Sequence, residues 1–267
     1  MDIFLLIGII VGLAAVSSGL LMKGASVSIL FSPEAIMVIL VGTSAAVMNS
    51  FTRKEFLNIP KILGVVFSDK SKEDPIEIIN QIVDMAQSTR KDGLLSLETR
   101  TQELDNEFMK QGLEMIVDGE EPEYVRQVLL GDIEGMEERH RIGASIFTTA
   151  GGASPTLGVL GAVIGLIGAL GNLNDTAKLG ESIAAAFVAT LYGIFFGYVI
   201  WHPFASRLKR KSHEEVSNKL LMVEGILAIQ EGKNPKTIQK QLITMLKPKD
   251  RKKLEDMSID GETKGDK

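Results

Sequence analysis

Four apolar runs mark this chain, at residues 3–22, 33–51, 151–171 and 179–203, and strongly charged stretches fill 52–141 and 205–267. Each run has the ~20 residues that a helix needs to cross a hydrocarbon core of roughly 30 Å. The short polar links 23–31 and 172–178 make two hairpins of the four runs. The third run carries small residues at Gly151, Ser154, Gly158, Gly161, Gly165 and Gly168, and the fourth answers with Ser182, Ala186, Thr190, Gly193 and Gly197. Steps of three and four put each set on one helix face, the pattern that lets helix backbones approach in lipid. The first run has a sparser seam of Gly8, Gly12, Ala15 and Gly19. It is expected to be a retained helix, because it lacks a basic n-region and exceeds the length of a signal-peptide core.

The charged stretches show helical spacing and no strand-like alternation, so the predicted fold class is an all-α membrane protein. Residues 1–51 hold spans one and two, 52–141 a helical cytoplasmic domain, 142–204 spans three and four, and 205–267 a tail. Residues 56–67 read as an amphipathic helix interrupted at Pro60. Residues 75–91 place Ile78, Ile79, Ile82, Val83 and Ala86 on one face, and Asp92–Gly93 ends that helix. Ser96 is the predicted cap of the next, with Leu97, Leu104, Phe108 and Met115 buried. Residues 123–141 present Val125, Val128, Leu129, Ile133 and Met136, and run on toward span three. Helices are expected at 213–230 and 234–245, with a charged, disordered end beyond 252. Ser32 and Pro33 read as the cap and first residue of span two. Glu34 then has two readings, a carboxylate at a positive helix end or an acid within the membrane; the first fits the helix dipole.

Arg53 and Lys54 follow span two, and Arg207, Lys209, Arg210 and Lys211 follow span four. The positive-inside rule puts both charged stretches and both termini in the cytoplasm. Composition then removes several functions. Without cysteine there is no thiolate chemistry, and His140, His202 and His213 lack ligand spacing. A net charge of −5 opposes nucleic-acid binding. No nucleophile–base pair or phosphate loop suggests an enzyme, and Glu120–Glu121 and Glu137–Glu138 read as solvated positions.

The most informative feature is an absence. The apolar interiors of spans one, three and four carry no Asp, Glu, Lys, Arg or His, whereas ion relays use such groups. The chain offers hydroxyls instead, chiefly Thr148, Thr149, Thr156, Thr190 and Tyr192. Packing seams without charge suggest a scaffold around an ionisable group of another chain. Pro155 lies inside span three, where it removes a backbone donor. It reads either as a functional kink or as an ordinary packing proline. Pro203 reads as a helix terminator.

The run Ser154-Pro155-Thr156-Leu157-Gly158-Val159-Leu160-Gly161, with Ala189-Thr190-Leu191-Tyr192-Gly193 and Trp201-His202-Pro203, resembles the MotA/PomA stator subunits of the bacterial flagellar motor. The stretch from Arg90 to Glu98, RKDGLLSLE, and Val117-Asp118-Gly119 are similar too. The resemblance implies five such subunits around two copies of a MotB-like B subunit, whose membrane aspartate binds the ion. Ion flow would then turn the ring against the rotor switch protein FliG. It implies rotor contact for Arg90 and Glu98, and conformational coupling for Pro155 and Pro203. It implies an ion pathway past Pro155, Thr156, Ala162 and Thr190. The physics of Arg90 and Glu98 leaves another reading open, since each charge suits its helix end. Ala162 stands where sodium-driven relatives carry a threonine, which points to H+ as the coupling ion. The expected location is the bacterial inner membrane, multi-pass, in contact with membrane lipid. Three other readings stay open: an ExbB/TolQ-like energy transducer, a stand-alone transporter and a passive scaffold.

Overall fold

The computed structural model describes residues 3–24, 27–68 and 73–254, and among them every regular element is helical. Four helices are long and apolar enough to cross a membrane: Ile3–Met22, Val27–Ser50, Pro122–Leu170 and Thr176–Gln230. The chain divides into two compact units, one of residues 1–70 and 139–211, the other of 71–138 and 212–267.

In the first unit, α1 (Ile3–Met22) is the first span. Span two begins at α2 (Pro33–Ile36), where Ser32 Oγ accepts from the Ala35 N–H at 3.3 Å and donates to Glu34. A wide π turn, Met37–Val41, leads into α3 (Gly42–Ser50). The expected cap at Ser32 is therefore present, and Glu34 lies at the exposed helix start. Next come α4 (Arg53–Leu57) and α5 (Ile59–Phe67), two short helices rather than one interrupted helix. A Thr52–Glu55 capping box starts the first, and Pro60 falls in the opening turn of the second, where its missing N–H costs nothing.

Span three belongs to α9 (Pro122–Leu170), which passes through Pro155 without a break. Span four is α10 (Thr176–Phe195), capped by Asp175, followed by a π turn at Phe196–Trp201 and by α11 (His202–Gln230). Pro203 was expected to end the helix, but helical backbone continues past it. The π turn immediately before it closes with the His202 N–H bonded to the Gly197 carbonyl. That wider register absorbs the proline, which otherwise costs an interior helix a donor and a steric clash.

In the second unit, α6 (Pro75–Asp92) starts at an Asp74 cap and ends at Gly93, whose φ of 80° suits a residue without Cβ. The stretch after it departs from expectation. A 3-10 turn occupies Leu94–Ser96, so Ser96 already has helical backbone, and its hydroxyl donates to the Gly93 carbonyl at 2.6 Å instead of capping. The long helix expected from there is two, α7 (Leu97–Gln102) and α8 (Glu107–Val117). Asn106 caps the second by accepting from the Met109 N–H at 2.8 Å, and that local bond favours the break. The core joins Ile79 and Ile82 of α6, Leu113 of α8, Leu129 of α9, Ile226 of α11 and Ile238 of α12 (Pro235–Ile243). Gly112 lets α11 close in, since a Cβ there would lie 2.6 Å from Ile226 Cδ1. The disorder expected beyond 252 does not hold for Lys253 and Leu254, which are helical, with Leu254 buried in this core; the rest of it falls on 255–267, outside the described residues.

Candidate functional site

The seams predicted for spans three and four face each other. A Cβ on Gly158 would come within 3.1 Å of the Ala189 carbonyl and 3.2 Å of Gly193 Cα. One on Gly193 would lie 2.5 Å from the Ser154 carbonyl. On the next turns, added carbons on Gly161 and Gly165 would lie 2.7 Å and 2.8 Å from the methyls of Ala189 and Ala186. These separations allow glycine and little else. Gly168, by contrast, has room, with Ser182 Oγ at 3.7 Å. In the first span Gly12 packs against Val199, while Gly8 and Gly19 face open space.

Thr190 sits in this close contact. Its half-buried hydroxyl lies 3.3 Å from the Ala186 carbonyl of its own helix and 3.4 Å from the Gly158 carbonyl across the interface. It can donate to one of them and keeps its lone pairs for another donor or a cation. Thr156 does not join it: that side chain is exposed, and its hydroxyl donates to the Ala153 carbonyl at 2.7 Å. Ala162, beside Gly161, is half-buried and brings no oxygen.

Pro155 leaves the Gly151 carbonyl without its helical donor. Gly197 fills the place, for a Cβ on it would be 2.9 Å from that oxygen and 2.8 Å from Pro155 Cγ. Any larger residue at Gly197 would collide with both the freed carbonyl and the proline ring. The His202 ring closes on Gly151 from the same side, and Pro203 follows it. The two prolines thus belong to one packed region, joined through Gly151, Gly197 and His202.

Sequence reasoning missed a buried pair. Thr43 Oγ1 and Ser154 Oγ are 3.0 Å apart, and Ser154 also donates to the Ala150 carbonyl at 2.9 Å. This bond ties span two to the turn that precedes Pro155. A hydroxyl in the middle of an apolar run is a signal, since such groups bond across helices. The Tyr192 hydroxyl, one of those the sequence offers, finds a partner that spacing did not give: it donates to the Leu30 carbonyl and pins span four to the first hairpin.

In the second unit, Arg90 is in the last turn of α6 and Glu98 in the first turn of α7. Both are exposed, and among the described residues neither makes an ion pair or a side-chain hydrogen bond. Leu97 is fully buried below this turn, and Leu94 packs against the same core. Leu95 between them is 72 % exposed. The turn is anchored from beneath and presents Arg90, Lys91, Asp92, Leu95 and Glu98 to solvent. Each sign still complements its helix end, worth about 0.3–1 kcal/mol. Among the described residues no cluster of His, Asp or Glu could hold a metal ion.

The profile of the MotA/TolQ/ExbB proton channel family matches residues 100–220. The chain is 48 % identical over 253 residues to Motility protein A of Bacillus subtilis, covering 95 % of this chain and 94 % of that one. It is 35 % identical over 242 residues to the chemotaxis protein PomA of Vibrio alginolyticus, covering 91 % and 94 %. Its structure is similar to that of the flagellar MotAB stator complex from Bacillus subtilis, with a TM-score of 0.88, 48 % identity, and coverage of 93 % and 97 %.

Proposed function

We infer function from kinship: the chain belongs to the MotA/TolQ/ExbB proton channel family, in its motility protein A branch. It is a stator subunit of the bacterial flagellar motor. With a B subunit it forms an ion channel and converts ion flow into torque on the rotor. The observation that carries this reading is the lack of any Asp, Glu, Lys, Arg or His in the interior of spans one, three and four, beside two helices packed backbone to backbone. Such a bundle conducts when a partner brings the titrating group. That group is an aspartate of a MotB-like chain, and five copies of this subunit surround two of the partner.

The coupling ion is H+. Thr190 contributes a hydroxyl next to the Gly158 carbonyl, and Ala162 withholds the second oxygen that a dehydrated sodium ion would need. Pro155 and Pro203 transmit the ion-driven change through the region they share with Gly151 and Gly197. Arg90 and Glu98, exposed and unpaired, face FliG. Thr156 is exposed on span three and open to the partner chain. The chain resides in the bacterial inner membrane with both termini in the cytoplasm, as its basic flanks direct.

A strain lacking this gene and any paralogue should assemble filaments that do not turn, and expression of the chain with its B subunit should restore rotation. Normal rotation in the deletion strain would overturn the reading. Restored cells should swim in sodium-free medium and stop when a protonophore is added. Speed that tracks external sodium would instead remove the assignment of the ion.

A further inference from the structure

Helix α4 begins three residues after span two ends at Ser50, and α5 follows it from Ile59. On one side, α5 packs Ile59, Ile62, Leu63, Val66 and Phe67 against Phe147, Phe204 and Leu208 of α9 and α11. Phe67 and Phe204 meet edge to face at 5.4 Å. The Lys211 ammonium fixes the end of α5 by donating to the Val65 and Ser68 carbonyls at 2.6 Å and 2.5 Å. The segment is thus held tightly by one face.

The other face is unpartnered and has a distinct chemistry. Leu57 is 64 % exposed and Val65 46 % exposed, with Lys54 and Lys61 exposed along the same segment. Residues 52–68 carry three basic side chains and 202–211 carry four, seven in all, against a single acid, Glu55. Glu55 is already engaged, accepting from the Thr52 N–H at 2.7 Å. Arg53, Lys54, Lys61, Lys209 and Arg210 are all exposed, and among the described residues none has an ion pair or a side-chain hydrogen bond.

We propose that the exposed surface of α4, α5 and the adjoining turns of α11 is a docking surface for anionic phospholipid headgroups, with Leu57 and Val65 among the acyl chains and the five free cations at the level of the phosphates. Two arguments select lipid over a protein partner. The face begins where a membrane span ends, so a bilayer already adjoins it. Its pairing of exposed aliphatic and cationic side chains, with no free acid, matches a negative interface that is apolar just beneath its surface. The proposal rests on the spans alone and is independent of the motor reading.

The test places the full chain in nanodiscs of phosphatidylcholine, alone or mixed with phosphatidylglycerol, and counts retained lipids by native mass spectrometry. Phosphatidylglycerol should be enriched, and each cation removed should lower the enrichment about fivefold at low salt. Lys54→Gln, Lys61→Gln, Lys209→Gln and Arg210→Gln together should abolish it, Arg at the three lysines should retain it, and Lys236→Gln with Lys240→Gln should leave it intact. Because the chain has no cysteine, Leu57→Cys and Val65→Cys each accept a single nitroxide. Both labels should collide with oxygen in preference to a water-soluble relaxant. Enrichment that survives the fourfold variant overturns the proposal. So do labels open to the aqueous relaxant, or labels shielded from both reagents, which would mean that a protein covers the face.

Discussion

Single atoms decide the contact between spans three and four. At Gly193 a side chain would have to share space with the Ser154 carbonyl, 2.5 Å from the new carbon. Gly193→Val should therefore cost about 1–3 kcal/mol through forced separation of the helices. Its unfolding midpoint in detergent should fall, and cells carrying it should not swim. Gly180→Ala has open space around it and is the matched control, neutral or slightly stabilising. The Thr43–Ser154 pair gives a finer probe. Thr43→Val removes one partner, while Ser154 keeps its bond to the Ala150 carbonyl. The expected loss is about 0.5–1.5 kcal/mol. A double-mutant cycle with Ser154→Ala should show a coupling of that size, and additive losses would mean the hydroxyls do not bond.

At the scale of elements, the turn between α6 and α7 separates two effects that the sequence left entangled. If Arg90 and Glu98 serve only the helix dipoles, Arg90→Glu and Glu98→Lys should each lower stability by up to about 1 kcal/mol, and torque should follow stability. If they also serve rotor contact, the loss of stability should be no larger than that, while torque falls far more than stability does. We expect the second result. Bead rotation beside thermal unfolding of the purified complex checks it. Opposite-charge changes in the partner should restore torque to the first variant. The contact is exposed, so raised ionic strength should weaken it.

For the whole molecule, the ion pathway is incomplete without a second chain. The purified chain alone in liposomes should pass no more protons than empty vesicles, and co-reconstitution with its B subunit should produce flux. Thr190→Val in that complex should reduce the flux at least several-fold, since the hydroxyl next to the Gly158 carbonyl is lost. Flux through the chain alone would mean that the backbone and hydroxyl oxygens suffice.

The apolar periodicity alone determined the four spans, the all-helical class, and the small residues that would face one another, because these follow from spacing along a helix. The missing charge was equally plain, and with it the need for a partner. Spacing could not give the neighbours that each residue acquires. Pro203 was expected to stop a helix, and only the π turn beside it, closed by His202 on Gly197, lets the chain run on. Ser96 has the composition of a cap, but the 3-10 turn that Gly93 starts had already bent its backbone into a helix. The Thr43–Ser154 bond and the meeting of Gly197 with the Gly151 carbonyl join residues far apart in the chain. Such contacts depend on how helices are set against each other, and that is settled by packing rather than by local order.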